Sequence, residues 1–366
     1  MTKKINFGAG PAKIPEEVME KAASEFIHFG NTGVSILEMS HRSADFTAII
    51  EETKALLRDL MQIPDNYEVL FMHGGGTGQF AAVPLNLKRD KTSADYLVTG
   101  SWSDKAFKEA QKYLDAKRVT PAVKPITRVP PENEWTRDPD AAYLYYCANE
   151  TIHGIEFFKA PETLPGVPLV ADISSTFLSR PFDFTNHGVV LGGTQKNLGA
   201  AGLTVAIVRK DLIGHELQIT PSVLSYKIAH DNNSVYNTPS VYSIYITNLV
   251  LKWIKEKGGA ERFAQMNQEK ASLIYSIIDD SNDFFYCPID KEHRSLMNIP
   301  FRIGGSNGDD KLEKEFLVRA TEKKMIGLKG HRSVGGIRAS LYNAITLDET
   351  KELAELMKEF QKEKQQ

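Results

Sequence analysis

The sequence predicts an α/β fold in two parts: a large domain with a mostly parallel sheet covered by helices, and a smaller α+β domain at the C-terminal end. Three observations carry this. Short apolar runs alternate with helix-like or loop segments over the first two thirds of the chain, as in a parallel sheet covered on both faces. The apolar helical pattern of 240–257 ends at Gly258-Gly259, where a domain boundary fits. The length of 366 residues suits two domains, or one large domain with a satellite. The large domain is assigned to residues 18–258 and the small one to 259–366, joined by the N-terminal residues 1–17.

Taken in order, the apolar residues Phe46, Ile49, Ile50, Leu56, Leu57 and Leu60 recur at helical spacing between Ser43 and Gln62, which predicts an amphipathic helix. Strands are expected at 67–72, 95–99, 141–147, 168–171, 188–191 and 203–208. The stretch 120–140 carries five prolines and reads as an ordered, irregular connection, either a lid or a plain surface loop. A long helix follows at 240–257. Past the boundary come helices near 261–278 and 311–324, strands at 298–303 and 336–342, and a last helix opened by the capping box Thr346-x-x-Glu349. Residues 361–366 read as a polar tail.

The composition narrows the function. With 44 basic against 47 acidic residues there is no electrostatic footprint for nucleic acid or a membrane surface. Cys147 and Cys287 are too few for a disulfide framework, and their spacing matches no metal motif. The N-terminus lacks an apolar core of signal-peptide length and is not Arg-rich like a transit sequence. No run approaches the roughly 18 apolar residues of a membrane span. A soluble cytoplasmic protein is expected.

The chemistry concentrates around one lysine. The segment VPLVADISS puts Asp172 at the end of an apolar strand, and VVLGGTQKNLGAAG puts Lys196 just past the next one. Ligands of parallel sheets sit outside the carboxyl ends of the strands, so the two side chains should converge on one crevice. Pyridoxal phosphate needs an amine for a Schiff base and a carboxylate against its ring nitrogen, and this pair supplies both. Lys and Asp are also ordinary loop residues, so the spacing alone leaves a solvated loop open.

Other segments bear on that choice. The strand 67–72 runs into His73-Gly74-Gly75-Gly76-Thr77-Gly78, after which a helix can begin at Gln79. Such glycine-rich turns present backbone N–H groups to phosphate. The turn lacks the Gly-Lys-Ser/Thr ending of a nucleoside-triphosphate loop but contains G-x-G-x-x-A at Gly76, Gly78 and Ala81. A non-catalytic dinucleotide-binding module is thus a rival, weakened because Asp95 precedes its strand instead of ending it. Trp102, after the strand 95–99, suits stacking on an aromatic ring, and Thr151, at another strand end, could reach a cofactor oxygen. A core tryptophan and a simple cap are the plainer readings of these two.

Two basic clusters, His41-Arg42 and His331-Arg332 followed by Arg338, suit an anionic substrate, because arginine's planar fork binds carboxylate or phosphate in bidentate fashion. Surface arginines paired with acids are the alternative. One arginine for an α-carboxylate leaves a His-Arg set for a phosphate or second carboxylate. A phosphorylated keto acid and a dicarboxylic amino donor follow.

Together the segments FGAGPAKIP, EMSHRS, HGGGTGQFAAVPLN, GSWSDKA, CANETIHG, DISSTFLSRP, TQKNLGAAGLT, YNTPS and KGHRSVGGIRAS resemble the phosphoserine aminotransferases, members of the fold-type I, class V enzymes that use pyridoxal 5'-phosphate. The likeness runs from Asn6 to Tyr342. It implies a homodimer with shared active sites that transaminates 3-phosphohydroxypyruvate with glutamate in serine biosynthesis. By motif, Lys196 is the Schiff-base lysine, Asp172 pairs with the ring nitrogen, Trp102 stacks on the ring and Thr151 meets the ring hydroxyl. The cofactor phosphate is assigned to Gly76, Thr77 and Gln195 and, across the subunit boundary, to Asn237 and Thr238. Arg338 is assigned to the substrate α-carboxylate, His41 and Arg42 to the substrate phosphate or distal carboxylate, with His331 and Arg332 reaching in from the other subunit. Some bacterial members carry arginine where this chain has Thr77, which puts one phosphate contact in doubt. His153 has no assigned role. Rival enzymes of the same fold are alanine–glyoxylate aminotransferases and cysteine desulfurases; the latter need a mobile reactive cysteine, and neither explains both His-Arg clusters.

Overall fold

The computed structural model describes residues 3–365; Met1, Thr2 and Gln366, at the ends of the segments assigned to the small domain, lie outside the described residues. A two-residue strand β1 (Ile5–Asn6) opens the chain, followed by α1 (Glu16–Ser24) and α2 (Ala44–Met61). Then come β2 (Tyr67–Met72), α3 (Gly75–Leu87), β3 (Ser93–Leu97), α4 (Ser101–Ala110), β4 (Asp115–Arg118), β5 (Leu144–Cys147), the short pair β6 (Asn149–Glu150) and β7 (Ile155–Glu156), β8 (Leu169–Asp172), β9 (His187–Gly193) and β10 (Thr204–Arg209). Helices α5 (Tyr226–Asp231), α6 (Val241–Glu256) and α7 (Gly259–Asp279) lead to β11 (Phe285–Tyr286), β12 (Asn298–Ile303), α8 (Asp310–Glu322), β13 (Met325–Ile326), β14 (Ile337–Ser340) and α9 (Leu347–Lys364).

Seven strands form the main sheet in the order β2-β10-β9-β8-β5-β3-β4. Only β10 is reversed, pairing antiparallel with both neighbours, while the β9-β8-β5-β3-β4 run is parallel. Successive side chains of a strand point to opposite faces. Val69, Phe71, Val205 and Ile207 join one apolar cluster, and Leu70, Met72, Ala206 and Val208 join the other. Burial on both faces is why these strands read as continuous apolar runs.

The C-terminal part is a three-stranded antiparallel sheet, β11-β12-β14, around which Phe285, Phe301, Phe316 and Phe360 pack edge to face. Strand β1 pairs in parallel with β13, which brings Ile5 and Asn6 beside this part. Between α6 and α7 the chain turns at Gly258, whose φ of 101° is in the left-handed region that favours glycine.

Several expectations need correction. Helix α3 begins at Gly75, not at Gln79, because Gly74 takes the left-handed cap and Gly78 N–H already bonds its carbonyl at 2.9 Å. Trp102 lies in the first turn of α4, an element with no expected counterpart, and is half-buried instead of exposed at a strand end. Asp95 lies inside β3. The supposed tail from Gln361 is helical to Lys364, as Gln361 bonds the Ser281 carbonyl and Arg319 bonds Glu363. The proline-rich 120–140 stretch is irregular, with one 3₁₀ turn at Glu132–Glu134.

Asp95 carries a pH dependence. It is 2% exposed, its Oδ2 accepts the Asp138 N–H at 2.7 Å, and its Oδ1 has no partner among the described residues. Burial pushes the carboxyl up to about 6, against the lowering effect of that N–H. The folded chain thus keeps a proton that the unfolded chain releases near pH 4, so the stabilising effect is present below that and is lost as pH rises to about 6. Asp95→Asn is expected to raise stability at pH 8 by up to about 3 kcal/mol and to change it little at pH 4. Thermal melts at both pH values measure this; an equal shift at both would refute it.

Candidate active site

Six strands of the sheet end on one side, and five of them each deliver a piece of one crevice there. Strand β2 leads into the glycine turn, β3 into Trp102, β5 into Asn149–Thr151, β8 ends on Asp172, and β9 leads to Lys196. This is the position where parallel sheets bind ligands.

Asp172 is buried, and its Oδ1 accepts hydrogen bonds from the Ser174 N–H at 2.9 Å and the Ser174 hydroxyl at 2.6 Å. Tyr145 reaches its Oδ2 at 3.5 Å. Ser174 Oγ also accepts the Gly193 N–H at 3.1 Å, which ties the aspartate's turn to the strand that carries the lysine. Lys196 Nζ makes no hydrogen bond among the described residues and stands 5.6 Å from the centroid of the Trp102 ring. Burial lowers the proton affinity of its amine, while Asp172, Cys147 and Glu150 act to raise it and Arg338 to lower it. An amine so placed is closer to its nucleophilic, neutral form than a lysine in water.

Trp102 is held at both ends: its indole N–H donates to Thr151 Oγ1 at 2.8 Å and its backbone N–H to Glu150 Oε2 at 2.9 Å. Glu150 Oε1 takes the N–H and hydroxyl of Ser103 at 2.8 and 2.6 Å. The glutamate therefore caps the N-terminus of α4, where unpaired N–H groups and the helix dipole favour a carboxylate. Sequence reasoning gave Glu150 no role. Its place in the strand-end segment NET was the available signal, but its target, α4, was itself not anticipated.

The glycine turn completes the crevice. A Cβ at Gly76 would lie 3.8 Å from Asp172 Oδ2 and 4.0 Å from Ser174 Oγ, so the start of α3 faces the aspartate. Thr77 is exposed in the first turn of α3, where free backbone N–H groups suit phosphate. Gln195 is half-buried beside Lys196. Asn237 and Thr238 lie on an exposed loop, with Asn237 Nδ2 3.3 Å from His73 Nε2, next to that turn.

The cationic residues separate into two groups. Arg338 donates through Nη1 to the Thr151 carbonyl at 3.0 Å, and its buried Nε has no partner among the described residues. Burial lowers the proton affinity of His331, as do its neighbours Arg338, Arg332 and Lys105. Burial does the same to His153, with His331 adding to it. Lys105 Nζ lies 4.2 Å from the Trp102 ring centroid. His331, Arg332 and Arg338 thus share one rim with Lys105 and His153, two residues the motifs left without a role. His41 and Arg42 stand ahead of α2 in the chain, where the Arg42 N–H donates to Ser40 Oγ at 3.3 Å.

The residues present fit pyridoxal phosphate: an amine without a hydrogen bond, a carboxylate anchored by Ser174, an indole fixed beside the amine, and a glycine-led helix N-terminus facing the same space. They do not fit two of the rivals, the dinucleotide module and the cysteine desulfurase. Asp95, the acid a dinucleotide site would need, is mid-strand and bonded to the Asp138 N–H. Cys147 and Cys287 are buried, and burial raises both thiols, unlike a reactive cysteine.

Gly100 is where this arrangement is tightest. A Cβ there would stand 2.3 Å from Glu150 Cδ, whose carboxylate is pinned by the bonds to Trp102 and Ser103. Gly100→Ala is expected to cost about 1–3 kcal/mol and to release Trp102, read as a lowered Tm with a changed indole emission. Parent-like values for both would show that Glu150 can give way.

A family model described as Aminotransferase class-V matches residues 5–353. A probable phosphoserine aminotransferase of Caenorhabditis elegans is 61% identical over 360 residues, covering 98% of this chain and 97% of the relative. The phosphoserine aminotransferase of Drosophila melanogaster is 54% identical over 358 residues, 98% of each chain. Among solved structures, pyridoxal-phosphate-bound phosphoserine aminotransferase from Trichomonas vaginalis superposes with a TM-score of 0.93 at 41% identity, covering 97% of this chain and 100% of that one. The chain belongs to the class-V aminotransferases and, within them, to the phosphoserine aminotransferases.

Proposed function

We propose that this enzyme carries out glutamate-dependent transamination of 3-phosphohydroxypyruvate to phosphoserine, as a cytoplasmic homodimer in serine biosynthesis, with Lys196 as its central group. The observation that carries the reading is the desolvated amine of half-buried Lys196, without a hydrogen bond among the described residues, beside the Ser174-anchored carboxylate of Asp172 and the indole of Trp102.

Bound in this crevice, pyridoxal phosphate supplies an aldehyde carbon and a ring that draws electrons from a substrate's α-carbon. Lys196 would hold the group at its aldehyde carbon, and its amine is the base that would take the substrate's α-proton. Asp172, oriented by Ser174, holds a proton on the ring nitrogen, an interaction that gains strength away from bulk water. Trp102, fixed by Thr151 and Glu150, forms a wall against the ring, and the Thr151 hydroxyl meets the ring oxygen. Gly76, Thr77 and Gln195 bind the phosphate of the cofactor, completed by Asn237 and Thr238 of the partner subunit.

Substrate selection falls to the cations. Arg338 has a buried Nε still to be satisfied, suited to one edge of an α-carboxylate. His331 and Arg332 extend the cationic rim beyond it in the same chain, because His331 feels the charge of its own Arg338, in place of the entry from the other subunit that the resemblance implied, and His41 and Arg42 serve the phosphate or the distal carboxylate. An approaching dianion raises the proton affinity of His331, which its cationic neighbours otherwise depress.

Lys196→Ala is expected to fold and to bind the cofactor while kcat falls by about 1,000-fold or more; appreciable transaminase activity in that variant would remove the lysine from its role. The purified protein is expected to be yellow and to be bleached by borohydride. A coupled assay comparing phosphohydroxypyruvate with its unphosphorylated analogue tests the cationic residues. Equal use of the two would overturn the roles given to His41, Arg42, His331 and Arg332. Arg338→Lys, which replaces a planar fork by a point charge, is expected to raise KM for both substrates about 10-fold or more.

A further inference from the structure

Beside the lysine stands a buried amide, Asn197, 5% exposed, whose bonds reach two other segments of the chain. Its Nδ2 donates to the Ser175 carbonyl at 3.0 Å, three residues past Asp172. Its Oδ1 accepts the Asn343 N–H at 2.9 Å, from the segment that follows β14 and Arg338. We propose that Asn197 is a positioning residue for Lys196, clamping the lysine's turn at once to the strand end that carries Asp172 and to the C-terminal segment that carries Arg338. The inference rests on the reading of Lys196 given above.

The far side of the clamp is itself rigid. Asn343 Nδ2 bonds the Leu178 carbonyl at 2.9 Å, and its Oδ1 accepts from Asn267 Nδ2 at 2.9 Å, which also reaches the Ser179 carbonyl. Lys270, buried in α7, places its ammonium on three carbonyls of the same segment, Leu341, Tyr342 and Ile345, at 2.9–3.0 Å. The near side is braced as well: the Ala12 N–H bonds the Gln195 carbonyl at 2.9 Å, and a Cβ on Gly10 would lie 3.6 Å from Lys196 Cγ. The residues on either side of the lysine are thus held, Gln195 by its carbonyl and Asn197 by its side chain, while the lysine amine makes no hydrogen bond among the described residues. Placement of a reacting amine by its backbone leaves the amine free for transfer, and a displacement of about 1 Å can cost on the order of 100-fold in rate.

The test uses the holoenzyme and its visible absorbance. Asn197→Ala is expected to shift the pH midpoint of that band and to lower kcat by about 10-fold or more, with KM for both substrates changed less than about threefold. Asn197→Ser, whose hydroxyl can serve one partner but not both, should fall between. Asn267→Ala removes bonds from the same network without touching the lysine's neighbour, and it should lower Tm while leaving the midpoint in place. A parent-like midpoint and kcat in Asn197→Ala, or equal shifts in Asn267→Ala, would overturn the proposal. Failure of both position-197 variants to fold while Asn267→Ala folds would do the same, assigning Asn197 to stability alone. A parent protein with no borohydride-sensitive band would instead sink the reading of Lys196 itself, so the two failures are distinct.

Discussion

Desolvation of an amine next to a carboxylate is the constraint around which this chain is organised. Away from water, the Lys196 amine is driven toward its neutral form, while Asp172 pulls it back. An unsupported charge in such a place costs several kcal/mol. The structure meets that cost with short, directed bonds: Ser174 gives Asp172 an N–H and a hydroxyl, and the same hydroxyl oxygen takes the Gly193 N–H. Two adjacent parallel strands are thereby held in the register that keeps lysine and aspartate in one crevice.

A second buried carboxylate serves the same crevice from the side. Glu150 is shielded from solvent and spends both oxygens on the first turn of α4. That fixes the backbone of Trp102, and Thr151, the next residue in sequence, fixes its indole. The Thr151 carbonyl then holds Arg338. One three-residue segment, Asn149–Thr151, therefore joins Trp102 to Arg338, and Asn149 extends the link to Asn298 of the small sheet. Trp102 and Arg338 thus share a common support, and Gly100 is packed closely against its glutamate, with a Cβ there only 2.3 Å from Glu150 Cδ.

Much of this was legible in the residues. Strand β2 and the strands ending near Asp172 and Lys196 appear as apolar runs because both faces of the sheet are covered, and the last helix announces itself by the Thr346–Glu349 capping box, which is formed. Less legible were α4 and α3. The first turn of α4 is capped by a glutamate nearly fifty residues away, and the local contribution is limited to the Ser103 hydroxyl, which accepts the Thr99 and Gly100 N–H groups. In α3 the helix begins inside a run of glycines, where local propensity argues against it, because contacts at the sheet's edge override that preference. The antiparallel β10 was equally hidden, since strand direction is a property of the connection and not of the strand's own residues.

The sequence by itself determined the chemistry on offer: which residues carry an amine, a carboxylate, an indole and planar cations, and that strands would bring Lys196 and Asp172 to the same edge. These depend on side-chain type and on periodicity, both written locally. Only the tertiary structure decided how those groups are held. Burial beside Asp172 sets the state of the Lys196 amine, Glu150 orients Trp102 from a distant strand end, and Asn197 ties the lysine's turn to Asn343 almost 150 residues away. Desolvation and hydrogen-bond geometry arise from neighbours in space, and no pattern along the chain records who those neighbours are.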